Sequence, residues 1–228
     1  MLPVMVNLDG FTLTHTYDLV DIPDQTVIDR YLPPLNTTNK MDMKAPKTLC
    51  MTVGPDFHSE GRLLQQKAFD KATEIVAKAD QEYGALVGRS YGGMIEEYRC
   101  DGAEYVLVVG DNELESGKAL LKNMRDKKVG MIKVRCYRPF PKAYFESLGS
   151  RFKGVGVIDR SISFGFDGTL FSEVKSAMYG STAVMQNYIV GLGGRDIPKE
   201  LIDEMFTRLE KRANGGAEDE VQFLGMRW

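Results

Sequence analysis

The chain has 228 residues, a length that allows one large domain or one domain plus a sizeable appendage. A hydrophobic content of 43%, a charged content of 27% and a net charge of −3 are ordinary for a globular protein and give no electrostatic case for nucleic acid or an anionic membrane. No apolar run approaches the roughly 18 residues needed to span a bilayer, and the first residues lack the basic region and cleavage site of a signal peptide, so the expected setting is cytoplasmic.

In chain order, "PVMVNL" (Pro3 to Leu8) predicts a buried strand and "DGFTLTHT" (Asp9 to Thr16) a polar turn. The next stretch carries Pro23, Pro33, Pro34 and Pro46. That density excludes a long helix or a central strand and predicts an extended segment lying on a neighbouring surface, the chain passing between domains. A helix follows. Leu64, Ala68, Ala72, Ile75, Ala79 and Tyr83 recur at three- and four-residue spacing, with Ser59 as the expected N-cap and Gly84 as the expected left-handed terminator. The glycine-rich, polar run Gly88 to Ala103 places a domain boundary near Tyr98.

Beyond it the pattern becomes regular. Glu104 to Gly110, Val129 to Tyr137, Gly154 to Asp159 and Asn187 to Gly193 are near-continuous apolar runs, the signature of parallel strands covered on both faces. Helices are expected between and after them, over Glu113 to Arg125, Pro141 to Leu148, Thr169 to Met178 and Pro198 to Arg212. The alternation predicts an α/β fold: an open parallel sheet with flanking helices and right-handed crossovers, preceded by an extended segment and a long helix. Ligands of such sheets lie at the carboxyl ends of the strands. Phe223, Leu224 and Trp228 in the tail are expected to dock on another surface.

"NYIVGLGGRDIPKE" asks whether Gly191, Gly193 and Gly194 grip a phosphate. A dinucleotide fingerprint needs glycine where Asp196 stands and belongs after the first strand, whereas here the strand is read as the last, with none after the helix. The favoured reading is a tight turn in which Asp196 caps the following helix and Pro198 enters its first turn. The other reading is an anion site built from Gly193, Gly194 and Arg195. Asp159, Arg160 and the loop through Asp167 and Gly168 pose the same choice, as a functional strand end or as a solvated loop whose Asp167 and Gly168 open a helix. Arg135 and Arg138 suit a carboxylate, a phosphate or an inter-subunit ion pair. Cys50, Cys100 and Cys136 form no C-x-x-C pair, and with His15 and His58 they assemble no recognisable metal, cluster or catalytic set.

Several stretches are more particular than any of these patterns. "PVMVNLDGFTLTHT", "YRPFP", "VIDRSISFG…GTLFSEVKSA" and "IVGLGGRD" stand in an order that resembles alpha subunits of 2-oxoacid:ferredoxin oxidoreductases, most like pyruvate:ferredoxin oxidoreductase. The resemblance implies that residues 1–50 are the end of a thiamine-pyrimidine-binding domain plus an extended linker. Residues 51–98 would then be a linker helix region, and residues 99–228 a domain like the transketolase C-terminal domain. It further implies a complex that decarboxylates a 2-oxoacid, forms acyl-CoA and reduces ferredoxin. Thiamine diphosphate, Mg²⁺ and iron–sulfur clusters would serve that complex, and its other members would be a thiamine-diphosphate-binding beta subunit, a gamma subunit and a ferredoxin-like delta subunit. The glutamate-bearing pyrimidine domain and a Y-P-I-T-P-type stretch are not found in this sequence. It therefore resembles the C-terminal part of an alpha subunit, with no catalytic, cofactor-binding or metal-binding residue expected here and a mainly architectural role. The competing readings are a stand-alone Rossmann-like module for anions or nucleotides, and an inert interaction module.

Overall fold

The computed structural model describes the chain apart from residues 1, 9, 11, 111–117, 119–120, 123, 125–126 and 228. Two units emerge, Met1–Tyr91 and Gly92–Trp228.

The first unit is helical where it is regular. After the short α1 (Thr12–His15) comes α2 (Gln25–Tyr31), opened by Asp24, whose carboxylate accepts the Thr26 N–H at 2.9 Å. The long α3 (Pro55–Val87) begins at a proline, whose missing N–H costs nothing in a first turn, and ends at Gly88, in the left-handed region with φ 76°. Ser59 therefore lies inside the first turns rather than at the cap. Gly84 lies inside the last turn, where its carbonyl accepts the Gly88 N–H at 2.8 Å. Tyr31 fastens α2 to α3: its ring meets that of Tyr83 edge-on at 5.6 Å, and its hydroxyl donates to the Ala79 carbonyl at 3.0 Å. The strand expected over Pro3 to Leu8 does not form. Those residues lack regular structure, and Val4, Met5 and Val6 are all more than 80% exposed, because a lone apolar run gains nothing without a ladder partner. Not one described residue of this unit is buried.

The second unit carries a six-stranded sheet. Its strands are β1 (Ile95–Tyr98), β2 (Tyr105–Val109), β3 (Val129–Val134), β4 (Gly154–Asp159), β5 (Val184–Ile189) and β6 (Val221–Phe223), in the spatial order β1-β3-β2-β4-β5-β6. The pairings among β2 to β6 are parallel, while β1 runs antiparallel along β3. Two strands depart from the sequence reading. β1 falls in the stretch read as a glycine-rich connector, because its Ile95-Glu96-Glu97-Tyr98 is half polar, as an edge strand can be. β6 follows the last helix, where no strand was expected, since its three residues give no periodic signal.

Helices α4 (Lys142–Leu148), α5 (Thr169–Ala177) and α6 (Lys199–Ala213) lie near their predicted positions, whereas the predicted helix Glu113 to Arg125 falls largely outside the described residues. Leu107, Met131, Tyr188, Ile202, Met205 and Leu209 pack into one core beneath α6. The alternate residues of β2, Val106 and Val108, point to the other face and are just as buried, as are Phe145 of α4 and Phe171 and Val174 of α5. Each such side chain removed from water contributes about 1.5–3 kcal/mol. Gly156 makes room for that packing, since a Cβ there would lie 2.6 Å from a Leu107 methyl and 2.9 Å from the Tyr188 ring. The Tyr188 hydroxyl reaches across the core and donates to the Met205 carbonyl at 2.6 Å.

Candidate functional site

In this sheet the chain passes from β2 to β3 on one side and later from β4 to β5 on the other. The winding therefore reverses between β2 and β4, where the carboxyl ends of such strands leave a crevice. Gly110 closes β2 there, and Asp159 and Arg160 close β4.

Asp159 does not face solvent. It is 4% exposed, and its carboxylate accepts the Leu170 N–H at 2.8 Å, the Phe171 N–H at 3.0 Å and the Asn187 side-chain amide at 2.9 Å. It thus caps α5 from another element, satisfying helix N–H groups that would otherwise lack partners. Burial pushes its pKa up, opposed by the donated hydrogen bonds. Asn187, fully buried on β5, completes the node by accepting the Gly168 N–H at 2.8 Å and donating to the Val157 carbonyl at 3.2 Å. Gly168 is the helix N-cap residue and is required for packing rather than conformation: its φ of −63° is ordinary, but a Cβ would sit 2.7 Å from that of Asp159 and closer still to the carboxylate. The expectation that Asp167 and Gly168 open the helix holds for Gly168, whereas the capping carboxylate comes from Asp159. Sequence reading noticed Asp159 as a strand-end residue and missed Asn187, whose only signal was an amide inside an apolar run.

The glycine loop forms a turn. Gly191 and Gly193 both have φ 66° and Gly194 has φ 83°, enclosing a 3-10 turn over Leu192–Gly194. Asp196 is exposed and does not cap α6, which begins at Lys199 with Pro198 as N-cap residue and no side-chain hydrogen bond there. It stands two residues too early to reach the free N–H groups. The structure thus places Gly193 and Gly194 side by side at the carboxyl end of β5. It turns the Arg195 guanidinium to the Gly225 carbonyl, to which Nη1 donates at 2.6 Å. Among the other arginines of this edge, Arg138 pairs with Glu173 at 2.5 Å and Arg135 donates to the Gly93 carbonyl at 2.8 Å. Arg160 lies beside Gly191, its Nε 3.1 Å from where a Cβ would be.

Away from this edge, Glu97 holds Arg151 through two bonds of 2.7 and 2.6 Å and accepts the Tyr144 hydroxyl at 2.6 Å, and the Arg151 bonds keep its carboxyl below the usual range. Burial pushes the Cys100 thiol up to about 12 and raises that of Cys136, which leaves both poor nucleophiles near neutrality. His15 is exposed and bonded to the Thr14 hydroxyl. Among the described residues no group of three or more His, Cys, Asp or Glu could hold a metal ion, and no helix is long and apolar enough to cross a membrane.

Comparison with known proteins gives this geometry a context. Residues 103–202 match the family model described as pyruvate:ferredoxin oxidoreductase core domain II. Residues 1–81 match the one described as "Pyruvate flavodoxin/ferredoxin oxidoreductase, thiamine diP-bdg". Most of the second unit, with its open, mostly parallel sheet, is thus similar to that core domain. Pyruvate synthase subunit PorA of Methanothermobacter thermautotrophicus is 37% identical over 100% of this chain and 58% of that protein. Ketoisovalerate oxidoreductase subunit VorA of Pyrococcus abyssi is 33% identical over 99% and 58%. A solved 2-oxoglutarate:ferredoxin oxidoreductase from Magnetococcus marinus aligns at 16% identity with a TM-score of 0.44, covering 68% of this chain and 24% of that one. Along its whole length the chain is similar to subunits of 2-oxoacid:ferredoxin oxidoreductases, those of pyruvate synthases among them. It spans 58% of the length of these curated relatives.

Thiamine diphosphate, named by one of the matched families, needs an enclosed seat and a cation held by oxygen ligands beside its diphosphate. The described residues of 1–81 offer neither a buried position nor a carboxylate cluster, so as they stand they do not fit that group.

Proposed function

We propose that this chain is part of the alpha subunit of a thiamine-diphosphate-dependent 2-oxoacid:ferredoxin oxidoreductase acting on pyruvate. The overall reaction takes pyruvate and coenzyme A to acetyl-CoA, carbon dioxide and a proton, and two ferredoxins each accept one electron. Similarity to a pyruvate synthase subunit along the whole chain carries this reading. Thiamine diphosphate, Mg²⁺ and the iron–sulfur clusters belong to the assembled enzyme. The partners are a thiamine-diphosphate-binding beta subunit, a gamma subunit and a ferredoxin-like delta subunit, and the setting is the cytoplasm. The cofactor supplies the carbanion chemistry, and this chain supplies architecture. The buried Asp159–Asn187–Gly168 node supports that role, because it fixes the carboxyl edge of the sheet from within and leaves no polar group of its own to react.

Reconstitution with the other subunits tests the reading. Reduction of a viologen dye should require pyruvate, coenzyme A and this chain together. Replacing pyruvate by 2-oxoisovalerate should lower kcat/KM by at least about tenfold, the scale on which a pocket discriminates added methyl groups. Equal activity without this chain, or no turnover of any 2-oxoacid, refutes it.

A further inference from the structure

Two polar side-chain atoms of the second unit are buried and lack a hydrogen-bond partner among the described residues: Oε1 of Gln186 on β5 and Nη1 of Arg212 on α6. Gln186 is fully buried, and its Nε2 donates to the Asp219 carbonyl at 3.0 Å. That bond fixes the amide, since a flipped one would set oxygen against oxygen. Arg212 is held loosely. Its Nη2 stands 3.9 Å from one carboxylate oxygen of Glu220, beyond hydrogen-bond reach, while Lys175 holds the other at 2.5 Å. The two side chains converge. Gln186 and Tyr188 share the face of β5 beneath α6, where the Tyr188 hydroxyl meets the Met205 carbonyl. Going back along β5 from Tyr188 runs forward along α6, because a crossover helix returns antiparallel to its strands. Leu209, one turn past Met205, lies against Gly156, the register partner of Gln186. Arg212 follows on the next turn, and long helical side chains lean back toward the helix N-terminus. On the other side, Glu220 lies one residue before the pair Asn187 and Val221, level with Gln186.

We propose that one resident water molecule sits between β5, α6 and the turn through Asp219 and Glu220, accepting from Arg212 Nη1 and donating to Gln186 Oε1. The chemistry of the two atoms selects the occupant. One is a donor that accepts nothing and the other an acceptor that donates nothing, so the bridging species must do both. A cation there would meet the guanidinium, and an anion would meet the amide oxygen. Water meets neither objection and keeps a second hydrogen for the Glu220 carboxylate. Internal waters of folded proteins hold such otherwise unsatisfied groups, at about three hydrogen bonds each. A buried donor or acceptor left unpaired would carry its full desolvation cost, heavier still for a charged one.

A crystal structure of the chain at a resolution that shows ordered solvent tests this directly. Density for a water within hydrogen-bond reach of both atoms is expected. Relaxation dispersion of the water deuterons in solution counts internal waters held longer than the molecule tumbles. Its amplitude should fall by the contribution of one water in Gln186→Met, which keeps the volume and removes the acceptor. Arg212→Met, on the more exposed side of the site, should show the same loss and serves if the Gln186 variant does not fold. Lys211→Met, which gives up a bond to Glu218 at 2.7 Å, should leave the amplitude unchanged. A direct bond between Arg212 Nη1 and Gln186 Oε1, density for an ion, or no density at all overturns the proposal. So does an undiminished dispersion in a folded Gln186 or Arg212 variant, or an equal loss in Lys211→Met. None of these outcomes depends on 2-oxoacid turnover, so the site stands or falls apart from the function proposed above.

Discussion

Replacing Gly168 by alanine isolates the node at the end of β4. The backbone there, φ −63° and ψ 149°, suits any residue, so no conformational strain enters. The new methyl meets the Asp159 carboxylate, which cannot swing away without abandoning the Leu170 and Phe171 N–H groups and the Asn187 amide. Overpacking a tight interior costs about 1–3 kcal/mol. Partial loss of hydrogen bonds to a charged group adds to it, each being worth about 1.5–3 kcal/mol. We expect a net loss of about 2–4 kcal/mol, or roughly 6–20 °C in melting temperature for a unit of this size. Thermal and urea melts followed by circular dichroism read it, and a double-mutant cycle gives the decisive arm. In an Asp159→Gly background the space is vacant and the cap already lost, so adding Gly168→Ala should cost only about 0.5–1 kcal/mol, the difference between Gly and Ala at a cap being all that remains. A single Gly168→Ala costing under about 0.5 kcal/mol, or additive costs in the cycle, would show that the carboxylate is not locked as described.

Three further outcomes are expected. Glu97 has its folded pKa depressed by Arg151, so its contribution is present above about pH 4.5 and lost as the pH falls through the folded value; Glu97→Gln should flatten the acid side of the stability profile, and an unchanged profile would count against the clamp. Gly156→Ala should destabilise the second unit by about 1–3 kcal/mol in urea melts, since its Cβ would overlap Leu107 and Tyr188 across the core; a neutral result would mean that the strands there pack more loosely. Arg195→Ala should cost about 0.5–1.5 kcal/mol through the lost bond to the Gly225 carbonyl, with no dependence on phosphate. A melting temperature that rises with phosphate, and ceases to do so in Arg195→Ala, would instead establish the anion site at Gly193, Gly194 and Arg195.

The sequence alone determined the class of the second unit. Runs such as Val106 to Val109 and Gly154 to Ile158 are apolar at every position, as suits a strand covered on both faces, so an α/β sheet followed from local pattern. The same locality explains what it could not decide. Strand order, the antiparallel edge at β1 and the three-residue β6 depend on which segments pair across the chain, and short or half-polar strands carry no periodicity of their own. The site shows the limit most clearly. Asp167 and Asp196 each stand just before a helix and look like caps, yet the carboxylate that caps α5 is Asp159, 11 residues before Leu170 and fixed by Asn187 from 28 residues away. Proximity in sequence makes a cap plausible. Only the tertiary structure, by setting the ends of β4 and β5 against the start of α5, decides which acid is buried there and finds the N–H groups.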